Sequence, residues 1–261
     1  MADRVARLAR LLAQVRARSA SGEPALAGLD WGHLALTGAD LGAYTVQTIA
    51  GMAPDALAAV GWPVAPVAFV AISPFARQNR TVVGVSRARA PVLMVSAHDD
   101  VDAYGVTTDI SLRHLAFDRL SSGDDYFFEL GAASHRWLSG LAATQQGIAE
   151  AVQRRPAFID ETPNKRGRGG ATRDNVAPLG DDEDQPPEAS AALAATRAER
   201  DAQLARTRSR LLTHAALSEV GFEDVTVAFL DAYLRQDGHA QSWLLGSAAN
   251  WLQNGDRLKH R

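Results

Sequence analysis

The segment Pro66–Asp102, PVAFVAISPFARQNRTVVGVSRARAPVLMVSAHDDVD, decides how this chain is read. Three stretches within it, Val67–Ser73, Thr81–Ser86 and Pro91–Ala97, are rich in Val and Ile and are parted by turns carrying Pro, Asn and Arg. Branched side chains fit a pleated, half-buried surface, so this spacing predicts a three-stranded meander. The segment closes on His98, Asp99, Asp100 and Asp102, a group of potential ligands at the end of an apolar strand. The expected fold class is α+β: a short β-meander packed by helices, followed by a mainly α-helical C-terminal region.

Upstream, Arg4–Arg18 places Val5, Leu8, Leu11, Leu12 and Val15 at helical spacing, with most of its arginines on the remaining face. That pattern predicts an amphipathic basic helix. Ala25–Trp62 reads as short helices broken by Gly32, Gly38, Gly42, Gly51 and Gly61, a region expected to serve as scaffold. Downstream, Val106–Leu115 has the composition of a fourth strand. Leu130, Trp137, Leu141, Ile148 and Val152 recur at steps of seven and four, which predicts one long helix from about Asp124 to Arg154, lying over the sheet.

Residues 156–190 lose this periodicity and carry Pro, Gly and charge instead, basic in NKRGRGGATR and acidic in GDDEDQPPE. Such a composition reads as a charged flexible connector. Beyond it, Ala189–Val220 lacks Gly and Pro and permits a long helix, while Glu223–Gln236 and His239–Asn254 form two more joined at Asp237-Gly238. The expected domains are therefore 1–155, helical plus β-meander; 156–190, connector; and 191–261, helical.

With 261 residues and an apolar fraction of 46%, the chain has enough material for a substantial core. A net charge of -3 and a sequence pI near 6.2 argue against a surface that coats nucleic acid or anionic lipid as a whole. There is no cysteine, so disulfides, thiolate nucleophiles and cysteine-held metals are excluded, and any metal would be held by His and carboxylate. The basic residues are 25 Arg against two Lys in an Ala-rich background, a bias that fits GC-rich bacterial coding. No apolar run approaches the roughly 18 residues needed to cross a bilayer, and the N-terminus lacks the apolar core of a secretory signal. A soluble, cytoplasmic bacterial protein with no membrane partner is expected.

For chemistry, His98, Asp99, Asp100 and Asp102 form the candidate metal group, in a window to His135 that holds three of the seven histidines and eight carboxylates. The string VLMVSAHDD resembles the AHPDD signature of zinc-dependent deacetylases of the LmbE type, in which a strand delivers a His and an Asp to zinc. The proline is missing here, and that family begins its sheet at this motif, so its ligands are not carried over. Arg77, Arg80, Arg87 and Arg89 in the turns, with Lys165, Arg166, Arg168 and Arg173 in the connector, form a candidate nucleic-acid contact, since guanidinium forks pair with phosphate oxygens. Trp243 and Trp251, eight residues apart on the last helix, are candidate interface residues. No G-x-S-x-G elbow, Walker loop or dinucleotide fingerprint is present. The catalytic residues are left open.

Three readings follow. The first is a non-catalytic subunit of a bacterial multi-component assembly, partnered by other subunits or by itself, contacting nucleic acid through the arginine-bearing turns and loop. The second is a metal-dependent hydrolase or nuclease with a His/Asp site at the end of the third strand, drawing also on His114 and His135; a divalent metal is implied only there. The third is a structural self-assembling protein built on the long helix and the Trp-bearing hairpin.

Overall fold

The computed structural model describes residues 2–76, 88–101, 107, 109–120, 123–140, 199, 202–203, 205–206, 217–253 and 255–261. Met1–Thr144 and His214–Arg261 form one compact unit. A second unit covers Gln145–Thr213, and its described residues are helical. The expected domain boundaries near 155 and 190 lie outside the described residues.

The first unit is built on five strands, β1 (Ala35–Ala39), β2 (Ala68–Ile72), β3 (Val92–Asp99), β4 (Asp125–Ser134) and β5 (Arg257–His260), ordered as they occur in the sequence. β1 to β4 run parallel, and β5 closes the β4 edge antiparallel. The helices are α1 (Ala2–Ala20), α2 (Leu41–Ala50), α3 (Pro54–Ala59), α4 (Ser111–Asp118), α5 (His135–Leu138), α6 (residues 217–234) and α7 (Gly238–Ser242). α7 runs on through a π turn, Trp243–Ser247, and a last α turn, Ala248–Trp251.

Because side chains alternate along a strand, each central strand feeds two cores. Phe69, Ala71, Val92, Met94 and Phe127 face Val5 and Ala9 of α1, Val46 and Ile49 of α2, and Phe117 of α4. Val70, Leu93, Val95, Tyr126, Phe128 and Leu130 face Leu138, Phe229 of α6 and Leu244. A parallel sheet covered on both faces reads as continuous apolar runs, and AFVAI, VLMV and YFF are such runs. Tyr126, Phe127 and Phe128 are each fully buried, at roughly 1.5–3 kcal/mol per large apolar side chain.

The α+β class holds: a sheet with helices on both faces, and a helical C-terminal stretch. The pairing within the sheet differs from a meander. Val67–Ser73 and Pro91–Ala97 supply β2 and β3, which are hydrogen-bonded parallel neighbours, a pairing that a tight reversal cannot make. Thr81–Ser86, expected as the middle strand, lies outside the described residues. The long helix expected from Asp124 is replaced at its start by β4, since Tyr126–Leu130 is buried on alternating faces and the seven-residue spacing of Leu130 and Trp137 is fortuitous. The second half of Val106–Leu115, expected as strand, lies in α4. The region expected to be scaffold contains β1 and the turn into α2.

α1 forms where its arginine pattern predicts, and two of those arginines are employed within the fold. Arg4 Nη1 donates to Leu41 O at 2.9 Å, and Arg16 Nη1 to Pro63 O at 2.5 Å. The helical hairpin also forms, with the Asp237 carboxylate accepting from His239 N at 2.8 Å to cap α7.

Candidate active site

Three parallel strands end at one place. β1 ends at Ala39, one residue before Asp40; β3 ends at Asp99, one before Asp100; β4 ends at Ser134, one before His135. The carboxyl ends of parallel strands are where such sheets place ligands, because the strands fix residues whose side chains then open into the loops.

Asp40 is the tightest point. Its φ of 52° and ψ of −113° put a non-glycine residue in a region that L-residues rarely adopt. The turn is held on both sides: Asp40 N donates to Ile72 O at 3.0 Å, and Tyr44 N donates to Asp40 O at 3.0 Å, starting α2. Strand and helix approach so closely that a Cβ on Gly38 would lie 2.6 Å from the carbonyl carbon of Gly42. Only glycine fits at 38. The result is a sharp strand-to-helix turn that raises the Asp40 side chain, 41% exposed, above the end of the sheet.

His135 Nε2 lies 3.5 Å from Asp40 Oδ1, and its Nδ1 lies 2.7 Å from Asp100 Oδ1. An ionised carboxylate only accepts, so Nδ1 donates to Asp100 and Nε2 is left facing Asp40. Asp100 is fully buried. Ser73 Oγ donates to its Oδ1 at 3.0 Å and Ser96 Oγ to its Oδ2 at 2.8 Å, while Arg113 Nη2 lies 3.2 Å from Oδ1. Ser73 has a φ of 53°, a second residue with left-handed backbone at this site.

The hydrogen bond to Asp100 raises the His135 imidazole above its ordinary range; partial burial and the Arg113 charge oppose this, and Asp40 adds to it. The β4 end that delivers His135 is irregular. Its register with β3 shifts between Ala97 and Asp99, so that Ser134 pairs with Asp99, and Gly131 N donates to Asp256 Oδ1 at 2.7 Å beside the bulge. Nearby, the Tyr44 and Phe75 rings stack with centroids 5.3 Å apart.

The candidate metal residues that are described, His98, Asp99 and Asp100, do not share one place. Asp100 turns inward to His135, whereas His98 and Asp99 are exposed, and Asp102 lies outside the described residues. His98 Nδ1 is 3.7 Å from Glu129 Oε1, and His114 Nε2 is 3.5 Å from Glu129 Oε2. Among the described residues, no group of three or more His, Asp or Glu is arranged to hold a metal ion. Of the candidate nucleic-acid residues, Arg77, Arg80, Arg87, Lys165, Arg166, Arg168 and Arg173 lie outside the described residues; Arg89 is exposed in the turn before β3. Of the tryptophans, Trp243 packs partly buried against the second core, and Trp251 is 50% exposed with Nε1 donating to Asp224 Oδ2 at 3.0 Å.

Asp40 is the residue that sequence reasoning missed. Its signal is Gly38-Ala39-Asp40-Leu41-Gly42, the glycine spacing of an elbow with a carboxylate at the centre, which a search for serine passes over. No family model matches this chain, and neither does any curated protein or solved structure. Among the described residues, no helix is long and apolar enough to cross a membrane.

Proposed function

We propose that this chain is a hydrolytic enzyme working through a covalent carboxylate intermediate, with Asp40 as nucleophile, His135 as base and Asp100 as the group that orients the base. The observation that carries this is one contact chain: a carboxylate on a strained turn, an imidazole 3.5 Å away, and a buried carboxylate 2.7 Å from the other ring nitrogen. The chain order nucleophile, acid, histidine is the order α/β-hydrolases use, and their elbow is likewise a strained strand-to-helix turn. That likeness is one of arrangement and supports the roles, not a substrate.

The chemistry of a carboxylate nucleophile narrows the electrophile. Attack on an acyl carbon would give an anhydride, which is more reactive than the ester it came from. Attack on a saturated carbon gives an ordinary ester, so a saturated carbon bearing a leaving group is the better substrate. In the first step an Asp40 oxygen bonds to that carbon, and the carbon–leaving-group bond breaks with its electron pair going to the leaving group. In the second, His135 Nε2 takes a proton from water as the water oxygen adds to the Asp40 carboxyl carbon. Collapse expels the alkoxide, which takes the proton back from His135 and leaves as the alcohol; the Asp40 carboxyl then gives its proton to solvent, restoring the carboxylate and the neutral imidazole.

Removing the base should stop the reaction halfway. Incubation of His135→Gln with a panel of primary alkyl bromides and terminal epoxides, read by intact and peptide mass, is expected to trap a single adduct on the peptide carrying Asp40. The same adduct should be missing from Asp40→Asn. Consumption of an electrophile by the native chain, with no adduct in His135→Gln or with one at another residue, contradicts the roles assigned.

A further inference from the structure

Arg113 lies at the third position of α4 and is 1% exposed, the largest fully buried side chain among the described residues. A guanidinium keeps its charge in any protein interior, so this side chain needs partners on every N–H. It finds them around the triad. Nε donates to Asp100 O at 3.1 Å, and Nη1 to Ser73 O at 2.5 Å and Pro74 O at 3.2 Å. Nη2 lies 3.2 Å from Asp100 Oδ1, and 3.4 Å from His135 Nδ1, which is a neighbour and not an acceptor because its own proton goes to Asp100.

Two features set this apart from an ordinary buried ion pair. The fork grips both the backbone and the side chain of Asp100, so it fixes the residue's position as well as its orientation. It also holds the carbonyl of Ser73, whose left-handed backbone presents Oγ to the same carboxylate oxygen. A planar five-donor group can meet carbonyls and a carboxylate together in this way, whereas an ammonium acts as one point charge.

We infer that Arg113 is a positioning residue of the proposed triad: it clamps Asp100 onto His135 Nδ1 and offsets one of the two carboxylate charges that face the imidazole. The inference rests on the triad proposed above. Among the described residues, the charged groups facing His135 are Asp40 on the turn after β1, Asp100 after β3 and Arg113 on α4. With all three in place, and the two carboxylates ionised, the neutral imidazole sits among a net charge of one negative. Without Arg113 the net becomes two negatives, and the imidazolium is the only cation left beside Asp100 among these groups. A base held that firmly in its protonated form would be lost to catalysis near neutral pH.

The test is an NMR titration of the His135 ring in the full chain, assigned by its disappearance in His135→Gln, with the fold checked by circular dichroism. Arg113→Gln keeps two N–H donors and loses the charge; its His135 midpoint should rise by about one pH unit or more. Arg113→Lys keeps the charge and loses the fork; its midpoint should stay within about half a unit of native. An unmoved midpoint in Arg113→Gln overturns the inference, as does a shift in Arg113→Lys as large as that in Arg113→Gln. If Arg113→Gln fails to fold, Arg113→Lys carries the test, and a displacement of about a full unit there overturns it.

The titration needs no turnover, so it fails separately from the hydrolase reading. A trapped Asp40 ester with an unmoved midpoint removes Arg113 alone. A moved midpoint with turnover and no ester removes Asp40 as nucleophile and retains Arg113 as the charge that offsets the carboxylates beside His135.

Discussion

His135 and Asp125 both hold their protons more tightly in the folded chain, so both contribute stability that falls as pH rises, while the activity that His135 supports should move the other way. The folded pKa of His135 is raised, chiefly by its hydrogen bond to Asp100, so the pairing contributes stability that is fully present below about 6.5, the unfolded value. That contribution is lost as pH rises through the folded value. Catalysis needs the neutral ring, so kcat/KM should climb over the same interval in which this stability is lost, and a profile flat through it would count against His135 as base. Asp125 opens β4 with its carboxyl buried, and burial pushes it up to about 6. A carboxyl with a raised folded pKa binds its proton more tightly in the native chain, so ionising it costs stability as pH rises from about 4 through about 6. Asp125→Asn should therefore raise the melting midpoint by a few degrees at pH 8 and by little at pH 4.5. Equal effects at both pH values, followed by calorimetry, would show that burial of the charge is not what governs this position.

At the level of elements, the turn from β1 into α2 is a packing constraint before it is a chemical one. Gly38→Ala would set a Cβ 2.6 Å from the carbonyl carbon and 2.7 Å from the carbonyl oxygen of Gly42, both backbone atoms that cannot rotate away. The turn must open, which should cost about 1–3 kcal/mol by chemical denaturation and displace Asp40, so that Gly38→Ala added to His135→Gln should abolish the Asp40 adduct. Gly42→Ala meets open space and serves as the matched control. A Gly38→Ala chain as stable as native would mean that strand and helix can part here at little cost.

How legible these elements are follows from where they lie. β2 and β3 are central strands buried on both faces, so their Val-rich runs show in the sequence. β1 is an edge strand, ALTGA, half exposed and short, so its apolar signal is weak and the glycines around it read as helix breaks. Within HDD, alternation and the register shift leave His98 and Asp99 outside and Asp100 inside, a distinction that composition does not carry. Asp40, Asp100 and His135 stand 60 and 35 residues apart in sequence, and only the parallel order of the strands brings their ends together.

Across the whole unit, the C-terminal segment finishes what the N-terminal part begins. Val225, Phe229 and Leu244 supply the helical wall of the second core, and β5 pairs the outer edge of β4, the strand that delivers His135. Arg261 Nη1 donates to Phe117 O, Asp118 O and Leu120 O, satisfying carbonyls at the end of α4, the helix that carries Arg113. Removing residues 257–261 should lower the melting midpoint by about 5 °C or more and promote association through the bared β4 edge. A truncated chain that melts with the native one and stays monomeric would show β5 to be an ornament of the sheet.

The most direct test of Asp40 as nucleophile follows the oxygen. The native chain is given, in water labelled with heavy oxygen, whichever electrophile of the alkyl bromide and epoxide panel it consumes, and the peptide carrying Asp40 is then weighed. An ester opened at the carboxyl carbon leaves a labelled oxygen in the Asp40 side chain, while the first product alcohol carries the oxygen that Asp40 supplied. Label in the product from the first turnover, with none in Asp40, would mean that water attacks the substrate directly and would contradict the covalent mechanism.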